Sequence, residues 1–146
     1  MKNYTKIAKD YANKITQGKE VAGKYEIAMC QRFIDDLGAQ ATAKAEFYYS
    51  EHYAHDVCGF IETLHHIEGE WDPPTIVLAP FQVFMLVNIY GWRLMAGKKR
   101  NPDTDPRRFK DVYIEIARGN GKSTLLSAIS LYGLACDGSS SPQIQC

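Results

Sequence analysis

The sequence predicts an α/β chain that is mostly helical, with a helical N-terminal region leading into one strand, a tight loop and one further helix. Three observations predict it. Apolar residues recur at helical spacing along most of the first 95 positions. Val112, Ile114 and Ile116 then alternate with Tyr113 and Glu115 in a β-branched run, the pattern of a short half-buried strand. Gly119-Asn120-Gly121 comes at once after it, supplying the backbone freedom of a tight turn.

Taken in order, residues 4–17 form a first predicted helix. Tyr4, Ile7, Ala8, Tyr11, Ala12 and Ile15 face the core, and Gly18 ends the helix. Its lysines suit a solvated face better than a DNA-contacting arm. A second helix over 22–37 carries Tyr25, Met29, Cys30, Phe33, Ile34 and Leu37 as one stripe, closed by Gly38. Ala39 to Ala45 is a connector, and Phe47-Tyr48-Tyr49 an apolar step that packs against the next helix. Ser50 caps that third helix, over 51–67, which packs through Tyr53, Val57, Phe60, Ile61, Leu64 and Ile67. All four histidines lie on it. His52 with His55, and Glu62 with His66, share faces at metal-compatible spacing, but no second ligand pair occurs elsewhere and a helix surface collects such residues freely.

Gly69 to Pro74 is a turn. Pro80 suits the first turn of a fourth helix running to about Met95, apolar on most sides through Phe81, Phe84, Met85, Val87, Ile89 and Trp92. Gln82 is its polar exception. A side-chain amide can read adenine through paired donor and acceptor, although the residues alone favour a capping or surface glutamine. Lys98 to Lys110 sets six cations against two carboxylates, a local charge of +4, and holds two prolines. It reads equally as a contact for DNA phosphates or a neighbouring subunit, or as a solvated loop.

The final helix starts near Lys122, with Leu125, Leu126, Ile129, Tyr132 and Gly133 on its buried face. The preceding turn carries the chemistry. Consecutive N–H groups at a helix N-terminus attract anions. Gly-Lys-Ser at 121–123 completes most of the phosphate-loop pattern G-x-x-x-x-G-K-[ST], although Ile116 stands where its first glycine belongs. Lys122 would reach the outer phosphates and the Ser123 hydroxyl would ligate Mg²⁺. Arg118 adds a second cation suited to charge on a transferring phosphoryl group, or to a salt bridge within the protein. A bare turn with a surface lysine is the bland alternative.

Totals set the limits. The 146 residues are 45% hydrophobic and 23% charged with zero formal net charge, so no global field draws the chain to nucleic acid or membrane. No apolar run reaches the length of a membrane span and no signal-type core comes after Met1, which points to the cytoplasm. Cys30, Cys58, Cys136 and Cys146 are too far apart in sequence for a Cys-x-x-Cys motif and read as free thiols.

Arg118-Gly119-Asn120-Gly121-Lys122-Ser123 resembles the deviant phosphate loop of the terminase large subunits of tailed bacteriophages. Pro80-Phe81-Gln82 resembles that family's adenine-contacting element, and Gly91-Trp92 downstream is also typical. Ala22-Gly23-Lys24 with Cys30-Gln31-Arg32 looks like the opening of its helical region, and Leu131 to Leu134 with Asp137-Gly138 like the end of the next helix and its turn. Ala117 departs from a frequent proline. The resemblance runs from about Val21 onward.

It implies residues 1–79 as the N-terminal helical region and 80–146 as the start of a three-layer ATPase domain of the P-loop NTPase (ASCE-type) fold. The loop comes so late that a truncated domain is expected, without the later acidic strand and without the nuclease domain. The resemblance further implies an ATP-driven motor that packages viral DNA into procapsids of a phage or prophage and cleaves concatemers in the bacterial host cytoplasm. Its cofactors would be ATP and Mg²⁺. Its partners would be double-stranded DNA, the terminase small subunit, the portal and further copies of itself. Gln82 would contact adenine; Gly119, Asn120, Gly121 and Thr124 would wrap the phosphates; Lys122 and Arg118 would be the catalytic cations; Ser123 would hold the metal. This chain alone is expected to bind nucleotide weakly at best and not to turn it over. Two other classes stay open: another P-loop enzyme, helicase-like or a small-molecule kinase, and a non-enzymatic helical interaction module.

Overall fold

A computed structural model describes residues 2–42, 44–66 and 69–136. Its elements are α1 (Tyr4–Thr16), α2 (Lys24–Ala39), β1 (Phe47–Tyr49), α3 (Glu51–Thr63), α4 (Pro80–Tyr90), β2 (Trp92–Leu94) and α5 (Lys122–Ala135). They divide into two compact units, each made of two separate stretches: Met1–Cys58 with Leu78–Asp111, and Gly59–Val77 with Val112–Cys146.

In the first unit α1 packs on both α2 and α4. The Asn3 side chain caps α1 by accepting from the Lys6 N–H at 2.8 Å. Gly18, at φ +69°, ends it in the left-handed turn that glycine permits. Tyr4, Ala8, Tyr11, Ala12 and Ile15 are buried as the periodicity predicts. On α2 the stripe is narrower than predicted. Cys30 and Phe33 are buried, whereas Tyr25 is 77% and Met29 38% exposed. Met29 lies about 100° round the helix from Cys30, with Phe33 between them, and so falls at the edge of the stripe. The helix also runs one residue past Gly38, and Gln40 forms its end.

The fourth helix stops at Tyr90 instead of reaching Met95. Residues Trp92–Leu94 pair antiparallel with Phe47–Tyr49, in the register Phe47↔Leu94, Tyr48↔Arg93, Tyr49↔Trp92. The switch falls at Gly91. A Cβ there would stand 2.6 Å from the Tyr49 ring and 2.6 Å from the Val87 carbonyl oxygen, so only glycine fits. Gly91 then accepts the Ser50 N–H at 2.7 Å, which starts the chain into α3. Helical period and strand pairing compete at 91–95, and a close aromatic partner decides for the strand.

Fully buried Trp92 centres this unit. Its ring meets Phe33, Phe47 and Tyr49 edge-on at 5.2–6.0 Å between centroids. Residues 98–110 are folded onto that core. The carboxylate of buried Asp105 accepts the Ala96 N–H (2.9 Å), the Asn101 N–H (2.8 Å) and the Tyr48 hydroxyl (3.0 Å). Those main-chain donors, Ala96 first, hold the Asp105 carboxyl below its ordinary range. Arg108 lies 3.8 Å over the Phe47 ring and pairs with Asp36 at 2.7 Å. Arg93 lies 3.5 Å over Tyr53.

In the second unit α3 ends at Thr63, short of the predicted 67, because the chain turns back. His66 N–H donates to Pro74 (3.0 Å) and Ile76 N–H to Leu64 (2.9 Å). Ile67, predicted as part of that helix face, lies outside the described residues. The predicted strand at 112–116 is also not formed. The segment makes no main-chain hydrogen bond to any described residue. Its alternation survives only as burial, with Ile114 and Ile116 half-buried and Tyr113 86% exposed. A strand needs a ladder partner, and none of the described residues supplies one.

Candidate nucleotide-binding site

The phosphate-loop residues all lie in the second unit. Gly119 (φ +89°) and Gly121 (φ +66°) both take left-handed backbone, so the chain curls around Asn120. The Asn120 side chain braces the curl by donating to the Ala117 carbonyl at 3.1 Å. Helix α5 begins at Lys122, as the sequence predicts, with Gly121 in the cap position and no side chain capping it. The first main-chain bond back to the loop is Leu125 N–H to Gly121 at 2.9 Å. The N–H groups of Lys122, Ser123 and Thr124 therefore have no acceptor among the described residues, and they carry the positive end of the helix dipole.

Arg118, Lys122, Ser123 and Thr124 are exposed. Among the described residues neither Arg118 nor Lys122 forms an ion pair. Two free cations and three free N–H groups around one turn suit a polyphosphate. Ser123 offers one hydroxyl oxygen to a magnesium ion, and no group of three His, Cys, Asp or Glu that could hold a metal occurs among the described residues.

Below the loop, α5 is anchored by buried Leu125, Ala128 and Tyr132, with Tyr132 edge-on to Phe60 at 5.5 Å. Leu126, predicted on that face, is 49% exposed, and Ala128 takes its place.

Gln82 belongs to the first unit. Its Oε1 accepts the Ala79 N–H at 2.9 Å, closing the N-terminus of α4. One lone pair on Oε1 and both Nε2 protons remain for another partner. The histidine face of α3 opens on a cleft of about 390 Å³ lined by Glu51, His52, His55 and Asp56. His55 Nε2 is held there by the Thr5 hydroxyl at 3.3 Å.

One contributor escaped sequence reading: Asp105 organises the basic loop, and nothing in Asp-Thr-Asp-Pro singles out the second aspartate. Asn120, expected in the phosphate wrap, also braces the loop through its side chain.

Residues 80–146 match the family described as terminase large subunit, ATPase domain. Over that stretch, just under half of the chain, the sequence is similar to the terminase large-subunit ATPase domain. No curated protein and no solved structure matches the chain. The terminase match takes in Gln82 as well as Arg118 to Thr124, and so spans stretches of both units.

Proposed function

We propose that this chain carries the nucleotide-binding portion of a phage terminase large subunit, the ATP-driven motor that packages viral DNA. The observation that carries the proposal is the uncapped N-terminus of α5. There two left-handed glycines and two cations without an ion pair among the described residues surround three N–H groups that likewise find no acceptor among them, within the terminase-matched stretch.

In this reading the triphosphate tail lies across Gly119 to Thr124. The N–H groups of Lys122 to Thr124 donate to its oxygens. The Lys122 ammonium neutralises the outer phosphates, and Arg118 faces the terminal one, where charge builds during transfer. Ser123 orients a magnesium ion on the phosphates, which supplies further charge neutralisation there. DNA, the small subunit, the portal and neighbouring motor subunits are the partners this role requires.

Hydrolysis also requires a carboxylate on the metal and a group that polarises water. The reading for this chain is confined to nucleotide binding.

Calorimetric titration with Mg²⁺-ATP tests this. Weak magnesium-dependent binding is expected, with amide protection over 119–124 in hydrogen exchange, and at least about tenfold weaker binding in Lys122→Ala. Absence of both heat and protection at millimolar Mg²⁺-ATP would sink the assignment.

A further inference from the structure

Helix α2 is apolar on two sides, and the first unit uses one of them. Cys30 and Phe33 are buried, and Phe33 meets the rings of Tyr49, Phe84 and Trp92 edge-on. Tyr25, Ala28, Met29 and Arg32 recur at i, i+3, i+4 and i+7, the spacing of one continuous helix face. Tyr25, Ala28 and Met29 are exposed, and Val21 stands fully exposed two residues ahead of the cap Gly23. Tyr, Met and Arg are the residue types enriched where proteins meet, and a flexible Met adapts to a partner's shape.

This face carries an excess of positive charge. Lys24 lies 4.9 Å over the Tyr25 ring and forms no ion pair among the described residues. Arg32 lies 4.5 Å over the Phe109 ring and shares Asp36 with Arg108. Arg108 takes that carboxylate at 2.7 Å and leaves the Arg32 Nε 3.9 Å away, beyond hydrogen-bond reach. Burial lowers the Arg32 pKa, Asp36 opposes the shift and Arg108 adds to it. Two guanidinium groups thus face one carboxylate. Of the other acids of α2, Glu26 accepts the Tyr11 hydroxyl on the α1 side, and Asp35, at the border of the face, accepts the Gln31 amide at 2.9 Å.

A second copy of the chain is a poor occupant. Laid parallel, two such faces oppose Lys24 to Lys24 and Arg32 to Arg32. Laid antiparallel about Ala28, they oppose Lys24 to Arg32 twice. Both arrangements set cation against cation. We infer that the Tyr25 face of α2 docks an amphipathic helix of another protein, whose apolar stripe covers Val21, Tyr25 and Met29 and whose flanking Asp or Glu residues meet Lys24 and Arg32. The face lies in the first unit and shares no residue with the phosphate loop, so it stands or falls apart from nucleotide binding.

Methyl NMR on the 146-residue chain tests the docking with two synthetic probes. One is a short helical peptide with leucines at i, i+3, i+4 and i+7 flanked by glutamates. The other carries lysine at every glutamate. The acidic peptide should shift the Val21, Ala28 and Met29 methyls at micromolar concentration, and the basic one should bind at least about tenfold more weakly. Tyr25→Ser should weaken the acidic peptide about tenfold, whereas Leu131→Ser, at an exposed apolar position of the second unit, should leave it unchanged. Lys24→Glu should shrink the preference for the acidic peptide at least about threefold. Equal binding of the two peptides, no shift at these three methyls, or an effect of Leu131→Ser matching that of Tyr25→Ser would each overturn the inference. A dimer in sedimentation that Tyr25→Ser abolishes would give the face to a second copy, and displacement of the acidic peptide by a duplex oligonucleotide would give it to nucleic acid. Unchanged helical circular dichroism in Tyr25→Ser shows that folding is not the variable.

Discussion

The two units use their cations in opposite ways. In the first, Arg93 and Arg108 lie against aromatic rings, Arg108 pairs with Asp36, and Arg100 donates to the Gln40 carbonyl at 2.7 Å. In the second, Arg118 and Lys122 stand exposed beside a helix end that no described side chain caps. Charge committed to aromatic faces and main-chain carbonyls serves stability, while charge left without a partner is available to a ligand. Local charge density alone points the wrong way here. In the +4 stretch at 98–110 the three arginines brace the fold, whereas Arg118 and Lys122 form no ion pair among the described residues.

The largest expected effect tests the structural side. Trp92→Ala removes the ring on which Phe33, Phe47 and Tyr49 converge. Truncating a fully buried aromatic costs about 3–5 kcal/mol, read as a lower urea midpoint of the first unit. An effect near that of a surface substitution would mean that the ring cluster is not its core.

Lys122→Ala should separate the two roles. An exposed, unpaired lysine at the start of a helix contributes little to stability, so unfolding should shift by less than about 0.5 kcal/mol. Nucleotide binding should nevertheless fall at least about tenfold. Arg108→Ala should do the reverse, lowering stability while leaving nucleotide affinity unchanged.

Gly119→Ala probes the loop conformation itself. At φ +89° an added Cβ meets nothing within 4 Å, so any penalty comes from the backbone alone. It should cost about 1–2 kcal/mol, taken from nucleotide affinity if the loop relaxes in the free protein. Gly97→Ala, in the first unit with open space and no positive φ, is the control without effect.

How much of this was legible in the sequence depends on which forces are local. Pro80, the α1 stripe and the start of α5 at Lys122 depend on residues within a turn of one another, and the sequence shows them. The end of α4 at Tyr90 depends on Tyr49, some forty positions away, and periodicity cannot see it. The strand at 112–116 failed for the opposite reason: its pattern is present, and no partner for it occurs among the described residues. At the site, the loop residues carry their own signature, whereas Asp105 gained its role only through donors from Ala96, Asn101 and Tyr48.

The smallest effect concerns pH. Asp105 is held below the ordinary carboxylate range, chiefly by the Ala96 and Asn101 N–H groups, so its folded pKa lies under its unfolded value of about 4. A depressed carboxylate contributes stability that is fully present above the unfolded value and is lost as pH falls through the folded one. Asp105→Asn keeps the shape and one acceptor but removes the charge. The variant should therefore be less stable than wild type at neutral pH, and the gap between their urea midpoints should close as pH drops below about 4. Tyr48→Phe deletes only the hydroxyl donor, leaves the two main-chain bonds, and should reproduce a fraction of that gap. If the gap between Asp105→Asn and wild type held constant down to acid, the contribution would be one of shape and hydrogen-bond count, and the basic loop would be pinned by something other than the charge of its buried carboxylate.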